Sequence, residues 1–340
     1  MIIPILNNQL AIHFTPSLTG RVRGGSFMWL LLAFTSAALL GFYDVFKKHA
    51  LKANNVVAVL TLNTFFGSLI FLPFVLLSAS GCLSEDSLFF VPVCGWEVHK
   101  YIVLKAVIVL LSWLCGYFSL KNLPLTIVGP INATRPVMVL LGAIFVFGER
   151  LNLYQWIGVL CAIFGFYLLS RSGKKEGIDF RHNRWIVLAV LASAFGAVSA
   201  LFDKFLLAPA ESGGVGLNRM VVQSYFMFYQ FVMMLPICWW TTKHTAQPTP
   251  LPNGKARGWV CWRWSIPLIS LFLCAADFVY FYALSLPEAL IAVVSMIRRG
   301  SVLVSFFVGA LAFHEKNLRY KVVDLALVLL SMVFLYLGSK

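Results

Sequence analysis

Three arginines and an aspartate stand inside long apolar stretches. Arg135 lies in NATRPVMVL, Arg298 and Arg299 in VSMIRRGSVLV, and Asp277 in LFLCAADFVYF. An isolated charge at mid-span costs about 2.5 to 3.5 kcal/mol on insertion scales, so such groups face a cavity or a partner. A guanidinium is a planar fork of donors matched to carboxylate and phosphate, and three of them near mid-span favour a solute bearing one of those groups. Arg135 directly precedes Pro136 and follows Pro130 by five residues. The two prolines break the helix around the charge and free backbone carbonyls beside it. Asp277 and Arg298 are placed to pair across a short connection between antiparallel helices. Left unpaired, Asp277 would instead suit coupling to protons.

Lys47 and Lys204, with Asp44 and Asp203 close by, end the first helix of each half of the chain. They either snorkel to the membrane surface or guard the two mouths of one pathway. Tyr117 and Tyr280 either line that pathway or pack as aromatics. Glu149 and Glu315 each follow an apolar span and precede a basic residue, which reads as structural capping of a turn. Gly158, Ala162 and Gly165 put small residues along one helix face, suited to close packing.

No HExxH, GxSxG, Walker A or GxGxxG pattern occurs in a suitable context, so the chain is not read as an enzyme or an ATP-driven pump. All six histidines, His13, His49, His99, His182, His244 and His314, fall in loops or at span ends, which leaves no intramembrane haem, metal or histidine relay. Seven cysteines with no CxxC pair support neither a zinc site nor a disulfide framework, although Cys82 and Cys94 share a loop and form the one plausible bridge. No cofactor is expected, with coupling to protons or another ion left open.

The elements that must hold these groups follow from composition. Of 340 residues, 60% are hydrophobic and 12% charged, with a mean hydropathy of +0.85. Soluble and disordered chains both need more polar surface than that, so this is a polytopic membrane protein in contact with the lipid bilayer. The net charge of +14 is spread between apolar stretches rather than gathered in a patch. It marks interfacial anchors and topology, not a nucleic-acid partner. A span needs about 20 apolar residues, and ten stretches qualify: 27–46, 56–78, 101–121, 124–147, 152–170, 185–207, 220–240, 265–285, 288–313 and 318–338. The fold class is all-α, since lipid-exposed backbone must satisfy its own hydrogen bonds. Residues 1–26 carry no long apolar core and are expected to be a disordered leader, with an over-extended start site as the alternative.

The chain also repeats itself. An offset of 163 carries Leu72-Pro73 onto Leu235-Pro236, Tyr117-Phe118 onto Tyr280-Phe281, Leu123-Pro124 onto Leu286-Pro287, and Arg135 onto Arg298. At the first helix the offset is 157, taking Ser36-Ala37 to Ser193-Ala194 and Lys47 to Lys204. At the fourth-to-fifth turn it is 166, taking Glu149-Arg150 to Glu315-Lys316. This divides the chain into a first repeat at 27–170, a basic linker at 171–184 and a second repeat at 185–340. Five helices per half is an odd number, so the second half enters the membrane from the opposite side. Inverted halves meeting around a mid-membrane site are what alternating access requires.

The stretch YFSLKNLPLTIVGPINATRPVMVLLGAIFVFGERLNLYQWIGVLCAIFGFYLLS resembles the EamA-type drug/metabolite transporter superfamily. The resemblance rests on Tyr117, Pro124, Pro136, Gly148-Glu149, Gln155, Gly158 and Gly165, and extends over roughly residues 27–338. In the second half Tyr280, Pro287 and Glu315 persist, whereas His314 and Lys321 replace the family's glycine and glutamine, and Asp324 and Ser331 stand at glycine positions. The resemblance implies a ten-helix secondary transporter of a small polar metabolite, often an exporter of amino acids or similar compounds. It places the pathway among all helices but the fifth and tenth, and the protein in the bacterial inner membrane.

Setting aside the three mid-span arginines, eight basic residues (Arg21, Arg23, Lys100, Lys105, Arg150, Lys204, Arg219 and Lys340) fall on the side of the termini and sixteen on the other. That count places both termini outside, whereas the resemblance implies cytoplasmic termini. The leading functional expectation is secondary transport of a small-molecule solute, an amino acid or organic anion. A passive channel or facilitator and a non-transporting scaffold are the alternatives. The oligomeric state is not legible.

Overall fold

The computed structural model describes residues 25–52, 54–138, 152–174, 182–207, 214–244, 260–285, 297–313 and 318–338. Among these the chain is helical and contains no strand. The helices are α1 (Gly25–Leu51), α2 (Val56–Ala79), α3 (Trp96–Asn122), α4 (Leu125–Ala133) and α5 (Leu153–Lys174), followed by α6 (Arg184–Leu207), α7 (Arg219–His244), α8 (Ser265–Ser285), α9 (Ser301–Phe313) and α10 (Leu318–Leu337). Six helical segments are long and apolar enough to cross a membrane: Met28–Leu51, Val56–Ala79, Trp96–Asn122, Arg184–Leu207, Arg219–His244 and Ser265–Ala283. This is an integral membrane protein. Leu153–Gly165 and Val322–Phe334 are shorter apolar helical runs.

Local chemistry sets the helix ends. Asn55 caps α2 by accepting a hydrogen bond from Val57 N at 2.8 Å. Gly81, at φ +73°, turns the chain out after that helix. Leu123, held extended by the following Pro124, ends α3. Some hydroxyls inside the apolar helices bond back to their own backbone, as Thr61 Oγ1 does to Val57 O at 2.8 Å, whereas Ser119, Ser224 and Gln230 keep buried donors with no partner among the described residues.

The α4 segment is broken where its charge sits. Thr134 leaves the helix and its carbonyl accepts from both Val137 N and Met138 N, so a new helical turn starts at Arg135. Pro136, which lacks an N–H, fits the first turn of that new helix. A second break precedes α9: Gly300 N bonds to Ile297 O at 2.9 Å, closing a tight turn over the two adjacent arginines before Ser301 starts the helix.

Helix pairing links the two halves. α1 packs on α8 and α3 on α6; α2 packs on α7, α4 on α9 and α5 on α10. Further pairings join α2 to α8, α3 to α7, α1 to α9 and α4 to α6. Exchanging each helix for the one five places on maps these pairings onto themselves, whereas α4 also packs on α10 without an equally strong α5–α9 counterpart. α1 and α8 run antiparallel, since Ser36 Oγ donates to Ala276 O at 2.7 Å near one end while His49 Nδ1 meets Ser265 Oγ at 3.0 Å near the other. α4 and α9 are also antiparallel, with Gly129 against Val302 and Leu125 against Gly309. In the α2–α7 pair the tilted rings of Phe65 and Phe231 meet and Ser68 Oγ donates to Met227 O, and the start of α5 meets the end of α10 through Asn152 and Gly338. Asp324 and Ser331 of α10 are buried.

Candidate functional site

Between the halves lies a cavity of about 200 Å³, lined by residues of α1, α3, α4, α6, α8, α9 and the turn before α9, with Phe226 from α7. Among the described residues α5 and α10 line none of it, as the resemblance implies, and neither does α2. Five cations, Lys47, Lys105, Arg135, Arg298 and Arg299, share its wall with three carboxylates, Asp44, Asp203 and Asp277.

Each carboxylate is engaged. Lys47 Nζ bonds to Asp44 Oδ1 at 2.6 Å one turn back on α1, and sits over the rings of Tyr43 and Tyr117, 4.2 and 5.3 Å from their centroids. Lys105 pairs with Asp203. Arg298 pairs with Asp277 and stacks on Tyr280, with Cζ 4.1 Å from the ring centroid. These contacts satisfy the rule that a buried charge is paired or hydrogen-bonded.

Arg135 and Arg299 have no carboxylate partner among the described residues. Arg135 Nη2 donates to Asn132 Oδ1 at 3.3 Å, and that oxygen also accepts from Ser193 Oγ at 3.0 Å. Its Nε is buried and makes no hydrogen bond among the described residues. The guanidinium lies against Gly196 of α6, where an added Cβ would be 2.6 Å from Cζ. Two guanidinium groups thus face the cavity with no carboxylate paired to them among the described residues, and a cavity so charged attracts a small anion.

The cavity therefore gathers Arg135, Arg298, Arg299, Asp277, Tyr117, Tyr280, Lys47, Asp44 and Asp203. Tyr117 is buried with its ring toward Lys47, so lining and aromatic packing coincide there. The side chain of Lys204 lies outside the described residues, as do Glu149 and Glu315 with the turns they were expected to cap. Lys105 corrects the reading of the charges. Counted as a topology signal, it is instead 3% exposed, nine residues inside α3, and bonded across the cavity. Its apolar flanks, IVLKAVIVLL, carry the same signal that singled out Arg135. Tyr43, Asn132 and Gly196 were not legible, because nothing in their sequence neighbourhood distinguishes them from packing residues.

Cys82 and Cys94 are free thiols rather than a bridge. Cys82 is exposed, while Cys94 Sγ turns to Pro92 O at 3.1 Å.

A family model described as the EamA-like transporter family matches residues 27–171. No curated protein sequence matches the chain. A solved crystal structure of a protein superposes over 92% of this chain and 97% of its own, with a TM-score of 0.58 and 14% sequence identity. That likeness is one of fold. The membrane-spanning helices and the family match agree in kind: residues 27–171 are similar to the EamA-like transporter family, consistent with the drug/metabolite transporter superfamily.

Proposed function

We propose that this protein is a secondary active transporter that exports a small polar metabolite bearing a carboxylate or phosphate, an organic anion or an amino acid. It works by alternating access between two inverted five-helix halves, ten spans in all. The observation that carries this reading is the pair of guanidinium groups, Arg135 and Arg299, in a cavity whose three carboxylates are already taken by Lys47, Lys105 and Arg298. Support for inversion comes from α2 with α7, α4 with α9 and α5 with α10. In each pair, helices at equivalent places in the two halves run antiparallel.

In this mechanism the anion binds at the arginines, where the break after Thr134 and the turn at Gly300 present the guanidinium groups from two facing helix starts. Asp277 and Tyr280 fix Arg298 in place, so that less is lost in ordering it when the solute arrives. Asp277, held by Arg298, positions that arginine and does not serve as the proton carrier. Rocking of the halves about the α4–α9 and α2–α7 contacts then exposes the site to the other compartment.

The test is counterflow in proteoliposomes, with the anion chosen as the strongest stabiliser in a thermal-shift screen of organic acids, amino acids and phosphates. A ligand at 100 times its Kd stabilises by about 2.7 kcal/mol, which such a screen resolves. Saturable counterflow is expected, reduced at least tenfold by Arg135→Gln. An unchanged rate in that variant would remove Arg135 from the site, and flux that never saturates would replace the transporter by a channel.

A further inference from the structure

Lys105 enters the cavity from α3, in the first half of the chain, and ends among groups of the second half. These are the carboxylate of Asp203 on α6 and the rings of Phe226 on α7 and Phe281 on α8, whose centroids lie 5.0 and 5.7 Å from Nζ. Lys47 has no such reach: Asp44, Tyr43 and Tyr117 all belong to its own half. The two lysines mark opposite ends of the cavity. Lys47 sits beside Tyr117, twelve residues along α3 from Lys105, which at 1.5 Å per residue is about 18 Å of helix axis.

The arginines lie between these ends. Arg135 packs on Gly196 of α6, and Asp203 is two helical turns further on, about 10 Å along the axis and on the same face. Ser199 and Ala200 line the cavity between them. Among the described residues, an anion that leaves the arginines toward the Lys105 end therefore meets Lys105 as its next cation. That ammonium is almost fully buried, while the Asp203 side chain keeps 24% of its surface exposed. A buried ammonium must keep a counter-charge at every moment. A carboxylate or phosphate that arrives as Asp203 departs meets that condition, and Asp203 has open space to move into.

We infer that Lys105 is a second anion subsite of the pathway, held by Asp203 in this state and handed from Asp203 to the solute. The exchange also releases the ion pair that joins α3 to α6 at this end, so arrival of the anion opens the end through which it leaves. The subsite rests on the anion-transport reading above and extends it by one residue and one step.

The test uses inorganic phosphate as the probe, with binding stoichiometry measured on purified protein and labelled phosphate exchange measured in phosphate-loaded liposomes. The wild type is expected to bind one phosphate per chain, at the arginines. Asp203→Asn should bind two, and the double variant Asp203→Asn, Lys105→Gln should return to one. Lys105→Gln alone should keep the first phosphate yet lower exchange at least tenfold, and Lys105→Arg should restore exchange. A loss of packing alone would weaken the first site in every variant instead. One phosphate in Asp203→Asn, or full exchange in Lys105→Gln, overturns the subsite while leaving the transporter reading intact. A wild type that neither binds nor exchanges phosphate removes phosphate-bearing solutes from the anion reading and overturns the subsite with them. Should Asp203→Asn not be recovered folded, the Lys105→Gln and Lys105→Arg exchange rates decide.

Discussion

Gly196 makes room for Arg135 by having no side chain, since a Cβ there would lie 2.6 Å from Cζ and 2.8 Å from Nη1 of the guanidinium. The tip of an arginine moves cheaply, so Gly196→Ala should leave the thermal-unfolding midpoint close to that of the wild type. It should nevertheless turn the guanidinium away from Asn132 and weaken anion binding about tenfold, or about 1.4 kcal/mol. Equal binding by the two proteins in a titration with the screened anion would show that the place of this guanidinium does not matter. The arginines were legible in the sequence because charge inside an apolar stretch needs a reason. Their surroundings were not. Asn132 and Gly196 act through shape and a single oxygen, and Lys105 was hidden by a count that took every lysine near a span end for a surface anchor.

Helix existence followed from hydropathy alone, and the break in the fourth helix followed from Pro136, whereas Pro130 stays inside α4 and breaks nothing there. The matching break before α9 did not, for it is closed by Gly300 and no proline marks it. Nor does hydropathy say how closely two helices approach. At Gly41 a Cβ would fall 2.5 Å from Val304 Cβ and 2.9 Å from the carbonyl oxygen of Ser301, so α1 meets the backbone of α9 itself. Small residues at such crossings are what let helices associate within a membrane. Unlike the arginine at Gly196, backbone cannot swing aside. Gly41→Val should therefore cost about 1 to 3 kcal/mol by overpacking and lower the thermal-unfolding midpoint in detergent, even where anion binding persists in the folded fraction. An unchanged midpoint would mean that α1 and α9 separate freely, which a bundle built on this contact does not allow.

Across the whole molecule, the placement of charge bears on which way the protein faces. Removing Lys105 and Lys47, both committed to the cavity, takes one residue from each side of the charge count and leaves the excess of basic residues opposite the termini. By that excess the loop joining α2 to α3 is expected to be external. Its two thiols report on this differently. Cys82 is exposed, whereas Cys94 is half-buried, and burial pushes its thiol above the ordinary range, so less of the reactive thiolate is present at neutral pH. In intact right-side-out cells at pH 7 a membrane-impermeant maleimide should label Cys82 first, and Cys82→Ser should abolish the fast phase. Labelling of Cys94 should grow as pH rises, because the raised thiol ionises only there. Should Cys82 react only after the membrane is opened, the termini are cytoplasmic, and the basic face carrying Lys52, Lys243 and Arg263 looks outward against the usual charge rule. The anion would then leave through the Lys47 end rather than past Lys105. The same labelling thus fixes which of the two lysines an exported anion meets last.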